Sequence, residues 1–326
     1  MAEGSARARI AALVGRLAPS VPAAEQAEAA LALARLCDDD PQNRDGVREC
    51  GGIAALVGLL APGGSAAVQF EAARALMCLT FKNAPNKVSV RECGGVAALV
   101  ALLAPGGSAA VGEQAAGALA NLCGDPKNRE CVGACGGIAP LVGLLAPGGP
   151  LSLYEEAAKA LRSACLQNVQ NQDSVRACGG IAPLVGLLAP GGPAAVQEPA
   201  AAALANLCTL NALNQDSVRE CGGIAALVGL LAPGRSAGAQ CQAAGALGNL
   251  GSIVNPLNQD SVRACGGVAA LVGLLAPGRP AGVQSKAAAA LANLCIDSTG
   301  IQDSVRACGG VAALVALLAP GSSGPV

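Results

Sequence analysis

The residues best equipped for chemistry are fifteen cysteines, a short acidic run and a recurring asparagine, while histidine is absent altogether. Without histidine, Ser-His-Asp and Cys-His nucleophilic sites are excluded, as are the usual proton shuttle near neutral pH and His-containing zinc sites. The cysteines fall into two main positional classes. One precedes a Gly-Gly pair, at Cys50, Cys93, Cys135, Cys178, Cys221, Cys265 and Cys308; the other comprises Cys37, Cys123, Cys165, Cys208 and Cys295. Most of the second class lie 12 or 13 residues before the next Cys-Gly-Gly, a spacing that allows a paired-thiol function. The plainer reading is a small, buried apolar residue. Cys131 and Cys135 form a C-x3-C, but no second pair completes a four-ligand zinc site. The run Asp38-Asp39-Asp40 reads as a solvated loop at a helix-to-helix turn. The many glycines form no phosphate-binding loop, because Gly-Gly follows a helix and no Gly-Lys-Ser/Thr comes after it. No catalytic residue, cofactor site or metal site is expected, and the chain reads as a non-enzyme.

The asparagines are better placed. Asn121, Asn206, Asn249 and Asn293 share one slot, held elsewhere by Arg35, Cys78 and Ser163. Each Asn lies two residues after a core leucine and so points off the core. Its amide offers both a donor and an acceptor.

The elements that position these residues are set by self-similarity. Successive Cys-Gly-Gly tripeptides are separated by 43, 42, 43, 43, 44 and 43 residues, a period typical of helical repeats. Propeller blades of similar length need β-branched and aromatic runs of period two, and these are missing. Within one unit, Asn171–Cys178 reads as a short helix capped by Asn171 or Asp173 and ended by Gly179-Gly180, since glycine accepts the left-handed turn at a helix C-terminus. A second helix carries Ile181, Leu184, Val185 and Leu188 on one stripe. Pro190-Gly-Gly-Pro193 breaks it, and a third helix carries Val196, Ala200, Ala203, Leu204 and Leu207, with Pro199 expected in its first turn. No unit can bury its stripe alone, and stacking buries it.

Composition agrees. Tyr154, Phe70 and Phe81 are the only aromatics in 326 residues, which favours thin layers of small side chains. The formal net charge of −1 offers no basic face for nucleic acid. The apolar runs stop at Pro-Gly well short of the roughly 20 residues that a bilayer span needs, so no membrane insertion is expected. Neither a signal-peptide pattern nor a myristoylation glycine is present, and the expectation is a monomer with reduced thiols in the cytoplasm or nucleus.

Helix 2 of the unit appears as Ile138-Ala-Pro-Leu-Val-Gly-Leu-Leu145 and Ile224-Ala-Ala-Leu-Val-Gly-Leu-Leu231, and helix 3 as Val196-Gln-Glu-Pro-Ala-Ala-Ala-Ala-Leu-Ala-Asn-Leu207. With the Gly-Gly turn, these motifs resemble the armadillo repeat family over nearly the whole chain. The resemblance implies an all-α, right-handed α-α superhelix, a single armadillo-type solenoid over 1-326. About eight three-helix units are expected, at 1-40 (partial), 41-83, 84-126, 127-168, 169-212, 213-255, 256-299 and 300-326 (truncated before its helix 3, at Pro-Gly-Ser-Ser-Gly-Pro-Val326). It also implies a non-catalytic interaction scaffold, with a protein partner, as extended peptide or helix, held in a concave groove lined by helix 3. Asn121, Asn206, Asn249, Asn293, Ser163 and Arg35 would line that groove, the asparagines bonding the partner's backbone. The alternative is a helix C-terminal Asn that bonds only local backbone carbonyls. Importin-α-like cargo binding is one further reading; the repeat portion of a larger ubiquitin-ligase or vacuolar armadillo protein is another. Importin-α proteins place Trp four residues before the Asn, where this chain has Gly117, Ala202, Gly245 and Ala289, so cation–π pockets for lysine are not expected. Nor is a lysine-rich surface of the β-catenin kind expected. Glu71, Glu113, Glu155, Glu156 and Glu198 lie early in helix 3, while Arg74, Lys159, Arg162 and Lys286 are scattered. The expected groove is smooth and weakly charged, suited to a helix packed closely against small residues.

Overall fold

The computed structural model describes residues 2–251 and 255–318. The expected Pro-Gly stop of the last unit lies outside these residues. The chain divides into two compact units, Met1–Ala164 and Cys165–Val326. The first unit holds α1 (Ala2–Gly15), α2 (Ala23–Asp39), α3 (Asn43–Glu49), α4 (Gly52–Gly58), α5 (Ala66–Thr80), α6 (Ala84–Glu92), α7 (Gly95–Ala101), α8 (Ala109–Leu122), α9 (Pro126–Ala134), α10 (Ile138–Gly143) and α11 (Leu151–Ala164). The second holds α12 (Val169–Ala177), α13 (Ile181–Gly186), α14 (Ala194–Leu207), α15 (Ala212–Glu220), α16 (Gly223–Leu230), α17 (Ala237–Leu250), α18 (Pro256–Ala264), α19 (Gly267–Leu274), α20 (Ala281–Leu294), α21 (Thr299–Ala307) and α22 (Gly310–Leu317). Among the described residues these are all helices, in triplets of short, medium and long. Among the described residues, the first triplet begins with α1 and α2 and the last ends with α22.

The predicted stripes form the core, except that Val185 is half-buried. Ile181, Leu184 and Leu188, then Val196, Ala200, Ala203, Leu204 and Leu207, are all buried. Each fully buried Leu or Val contributes about 1.5–3 kcal/mol. The long helices of successive repeats pack side by side, α2 on α5, α5 on α8 and α8 on α11 in the first unit, α14 on α17 and α17 on α20 in the second. Small residues keep the layers thin: a Cβ on Gly248 of α17 would lie 2.9 Å from the Ala290 Cα of α20.

The Gly-Gly turn does two separate jobs. Gly222 sits at φ 75°, where an L side chain is strained. Gly223 is excluded from substitution by space instead, since a Cβ there would lie 2.6 Å from Val218 Cγ1 and 3.0 Å from Val185 Cγ2 of the preceding repeat.

Helix 1 begins earlier than the sequence reading expects. Its N-cap is Asn168, whose side chain accepts from the Asn171 backbone N–H; the same Asx-x-x-Asn cap recurs at Asn83, Asp125, Asn211 and Asn255. The second Asn of the motif is therefore interior and buried, and it works between repeats. Asn214 Nδ2 donates to Leu207 O at 3.1 Å and Gln172 O at 3.2 Å, and its Oδ1 accepts from Arg176 Nε at 3.1 Å. Asn86 does the same with Leu79 O, Arg44 O and Arg48 Nε. Next to it, Gln215 Nε2 donates to Cys208 O and Asn249 O, the C-terminal carbonyls of two successive long helices. Carbonyls at a helix end run short of intrahelical donors, and these side chains supply them.

Other local expectations also shift. Pro199 lies in the second turn of α14, not the first, so the helix forgoes one backbone bond there. Asp38 and Asp39 continue α2, and Asp40 is its C-cap, so the acidic run is a helix end. α1, Ala2–Gly15, opens the partial first unit.

The two cysteine classes separate by burial. Cys37, Cys123, Cys165 and Cys208 are buried in the core, as expected, and Cys295 is half-buried. The cysteines before Gly-Gly are not buried filler: Cys93, Cys135, Cys178, Cys221, Cys265 and Cys308 are exposed, and Cys50 is half-buried. This position is the C-cap of helix 1, where the side chain leaves the helix toward solvent. Burial pushes the Cys37 and Cys123 thiols up to about 12, from an ordinary 9.0. Cys78 is likewise pushed up to about 12, first by burial and then by a hydrogen bond to Asp38.

Three outcomes follow from the packing. Asn214→Ala removes the side-chain donor to Leu207 O and Gln172 O and the acceptor for Arg176 Nε, and should lower stability by about 2–3 kcal/mol in urea titration. Leu210 sits at φ 52° with its side chain 72% exposed. Leu210→Asn should therefore raise stability by about 0.5–1 kcal/mol, read as a higher melting temperature, because Asn tolerates the left-handed region. Finally, the buried thiols stay protonated in the fold while the unfolded chain's thiols ionise near 9.0. The unfolded state then binds fewer protons, so stability should fall as pH rises from about 9 toward about 12. Urea midpoints at pH values on either side of this window check it.

Candidate functional site

In each unit the long helices place one face toward the core and the opposite face toward solvent. Small residues at the packed positions bring neighbouring helices close, so the solvent-facing side chains form rows across repeats. All four asparagines of the predicted groove are half-buried at the C-terminal end of that face, as is Ser163, and Arg35 is exposed.

Three of the asparagines already have a structural task. Asn121 Nδ2 donates to Met77 O of α5 at 2.9 Å. Asn249 Nδ2 donates to Ala205 O of α14 at 2.8 Å and to Thr209 Oγ1 at 3.0 Å. Asn293 Nδ2 donates to Gly248 O of α17 at 3.3 Å. In each case the acceptor belongs to the long helix of the preceding repeat. This is neither of the two roles read from the sequence, because the amide ties one repeat to the next. The Asn206 carbonyl in turn accepts from Gln172 Nε2 at 3.0 Å.

Charge divides the two units. In the second, the face is nearly as smooth as expected: Gly245 is half-buried, Ala289 and Ala292 are exposed, and Glu198 and Lys286 are its main charges. In the first unit it is neither smooth nor weakly charged. Glu71 Oε2 lies 3.8 Å from Arg74 Nη1, and Lys159 Nζ lies 2.7 Å from Glu155 and 2.8 Å from Glu156. Burial alone would lower the Lys159 pKa, but hydrogen bonds to Glu155 and Glu156 outweigh it and the pKa ends above its ordinary value. Gly117 is roofed over from both sides, since a Cβ there would lie 2.6 Å from Met77 Sδ and 2.9 Å from Glu156 Oε2. Long side chains from the two neighbouring repeats thus cover a glycine between them, an arrangement that one repeat's own residues do not reveal.

Along the same face, Ala27, Glu28 and Leu31 of α2, Phe70 and Glu71 of α5, and Ala110 and Val111 of α8 enclose a cleft of about 420 Å³. Its walls are apolar with two carboxylates. A second cleft of about 400 Å³ joins Arg9, Glu28, Leu31 and Arg35. Among the described residues, no three His, Cys, Asp or Glu side chains converge to hold a metal ion. No helix among them is long and apolar enough to cross a membrane.

The sequence profile of the armadillo/beta-catenin-like repeat matches residues 40–76, 83–124, 168–209, 211–252 and 255–296. The chain matches no curated protein sequence. Among solved structures it is similar to a crystal structure of an engineered protein, at 32% identity and a TM-score of 0.85, over 96% of this chain and 74% of that one. A designed armadillo repeat protein aligns at 26% identity and a TM-score of 0.67, over 74% of this chain and 99% of that one. Another, solved in complex with the peptide (KR)4, aligns at 26% identity and a TM-score of 0.65, with the same coverage. The profile matches span most of the described helices, and they fall on the same triplets that the packing defines: this chain belongs to the armadillo/beta-catenin-like repeat family.

Proposed function

We propose that the chain is a non-catalytic protein-interaction scaffold that holds a partner peptide or helix along the exposed face of its long helices. Membership of the armadillo repeat family and the peptide-bound designed neighbour support the interaction role. The observation that favours this face is the cleft of about 420 Å³ in the first unit, which combines Leu31, Phe70 and Val111 with Glu28 and Glu71. Apolar walls with a few placed polar groups are the usual make-up of a site that anchors a side chain. Asn121, Asn206, Asn249, Asn293, Ser163 and Arg35 lie farther along the same rows and would contact the rest of the partner. With Nδ2 of Asn121, Asn249 and Asn293 engaged between repeats, the asparagines would serve the partner chiefly as acceptors.

The interlocking role of these amides decides which variants test the proposal. Replacing them with Ala would loosen repeat packing as well as the face. Leu31→Lys combined with Arg74→Glu alters the cleft and leaves the inter-repeat bonds in place. Quantitative affinity capture with the wild type, this double variant and the remote variant Leu213→Lys should show one partner set reduced at least about tenfold by the double variant alone, the loss of roughly 1.4 kcal/mol. Equal recovery from all three would remove this face from the account. Importin-α-type recognition is checked separately with the peptide (KR)4. Gly117, Ala202, Gly245 and Ala289 supply no ring for a cation to stack on, and binding should stay weaker than about 1 mM by fluorescence anisotropy.

A further inference from the structure

The short helix α9 differs from its counterparts at two positions, and the two changes fit together. Four residues before the Gly-Gly cysteine, five of the other six repeats carry Ser89, Ser174, Ser217, Ser261 and Ser304, and α3 carries Gly46; α9 carries Cys131. Two residues before that cysteine, they carry Arg48, Arg91, Arg176, Arg219, Arg263 and Arg306; α9 carries Gly133. Ser174, Ser217, Ser261 and Ser304 each donate to the carbonyl four residues back in their own helix. The Cys131 thiol instead faces its neighbour one turn on: Cys131 Sγ and Cys135 Sγ are 3.9 Å apart. Cys135 is exposed at the C-cap, and Cys131 is half-buried.

We infer that Cys131 and Cys135 are a reversible redox pair, which a low-molecular-weight disulfide such as glutathione disulfide closes into a disulfide bridge at the end of α9. This goes beyond the interaction role and does not depend on it. The exposed Cys135 thiolate attacks one sulfur of glutathione disulfide, and glutathione thiolate leaves. Cys131, having lost its proton to solvent, then attacks the Cys135 sulfur of the mixed disulfide and expels the second glutathione. In sum, two protein thiols and one glutathione disulfide give one protein disulfide and two glutathiones. The order follows from access. Burial, and then the neighbouring Cys135, hold the Cys131 thiol above its ordinary pKa, so Cys131 acts second.

Closure is opposed by the helix, which makes the bridge labile. A disulfide brings its Cβ atoms to about 3.5–4.5 Å, whereas residues four apart on a helix hold theirs at about 5–6 Å. The last turn of α9 must therefore give. Gly133 lies between the two cysteines and is the residue type that costs a helix about 1 kcal/mol relative to Ala. The bonds at stake are Cys135 N–H to Cys131 O and Gly136 N–H to Gly133 O, both 2.9 Å. The movement has little room, because a Cβ on Gly137 would already lie 2.8 Å from Val100 Cγ2. Closure thus disturbs the turn between α9 and α10. A strained, exposed bridge of this kind has a more oxidising potential than a structural one and reopens readily.

The test uses the full chain, equilibrated in glutathione buffers of increasing oxidised fraction, quenched by alkylation, unfolded and digested with trypsin. The peptide 130–159 contains Cys131 and Cys135 and no other cysteine. Its main oxidised form should be two hydrogens lighter and free of adduct, while exposed single cysteines such as Cys178 and Cys221 carry glutathione. Cys131→Ser should convert Cys135 to the glutathione adduct. Gly133→Ala should require an oxidant ratio about fivefold higher for half closure, the equivalent of a residue's helix propensity. Amide exchange over residues 131–137 should quicken in the oxidised protein. Glutathionylated Cys135 beside free Cys131 in the wild type, or either thiol joined to a cysteine elsewhere, would overturn the pair. An unchanged midpoint in Gly133→Ala, or unchanged exchange, would overturn the yielding helix end.

Discussion

Everything in this solenoid depends on how the last carbonyls of the long helices are satisfied. A helix end leaves several carbonyls without donors, and a repeat protein buries one such end per unit. Here the short helix of the following triplet supplies the donors. Asn128 Nδ2 reaches Leu122 O, Arg129 Nε reaches Cys123 O, and Asn128 Oδ1 accepts from Arg91 of the preceding short helix. One buried amide thus joins a long helix and two successive short helices. Because a buried donor or acceptor left unmade costs about 1–3 kcal/mol, the arrangement fixes register as well as stability.

The same logic explains the asparagines on the long helices. From the sequence they look free to meet a ligand, since they point off the core. In the structure they are a second clasp of the stack, at the same C-terminal ends of the long helices that the short-helix donors reach. A residue that locks two repeats together is also held in one rotamer, and a fixed acceptor loses little entropy on meeting a partner. The structural and the proposed interaction roles are therefore compatible within one side chain.

The two units carry the same scaffold with different faces. In the first, Met77 and Glu156 close over Gly117, and Glu71–Arg74 and Glu156–Lys159 pair along the long helices on either side. In the second, alanine and glycine leave the helices nearly bare. Backbone packing tolerates both because the stripe that builds the core does not include these positions. The face can thus differ between repeats wherever its side chains are neither in the core stripe nor in the inter-repeat clasp.

Much of the fold was legible in the residues. The period of Cys-Gly-Gly, the stripe Ile181, Leu184, Leu188 and the stripe Val196 to Leu207 require nothing beyond helical geometry, and the left-handed turn at the first glycine of each pair follows from the lack of a Cβ. Reading fell short where a residue's partner lies one repeat away. By residue type Asn171 or Asp173 suits the cap; Asn168 holds that place, and the buried interior position of Asn171 depends on stacking. The cysteines before Gly-Gly were read as buried because cysteine is small and apolar, yet the C-cap geometry turns them outward. Composition and periodicity determined that this chain is a stack of three-helix repeats, since local propensity and a repeating apolar stripe act within one unit. Tertiary structure alone decided which polar groups clasp neighbours, which glycines are roofed over and where Cys131 meets Cys135, because those depend on distances between side chains that sequence spacing does not encode.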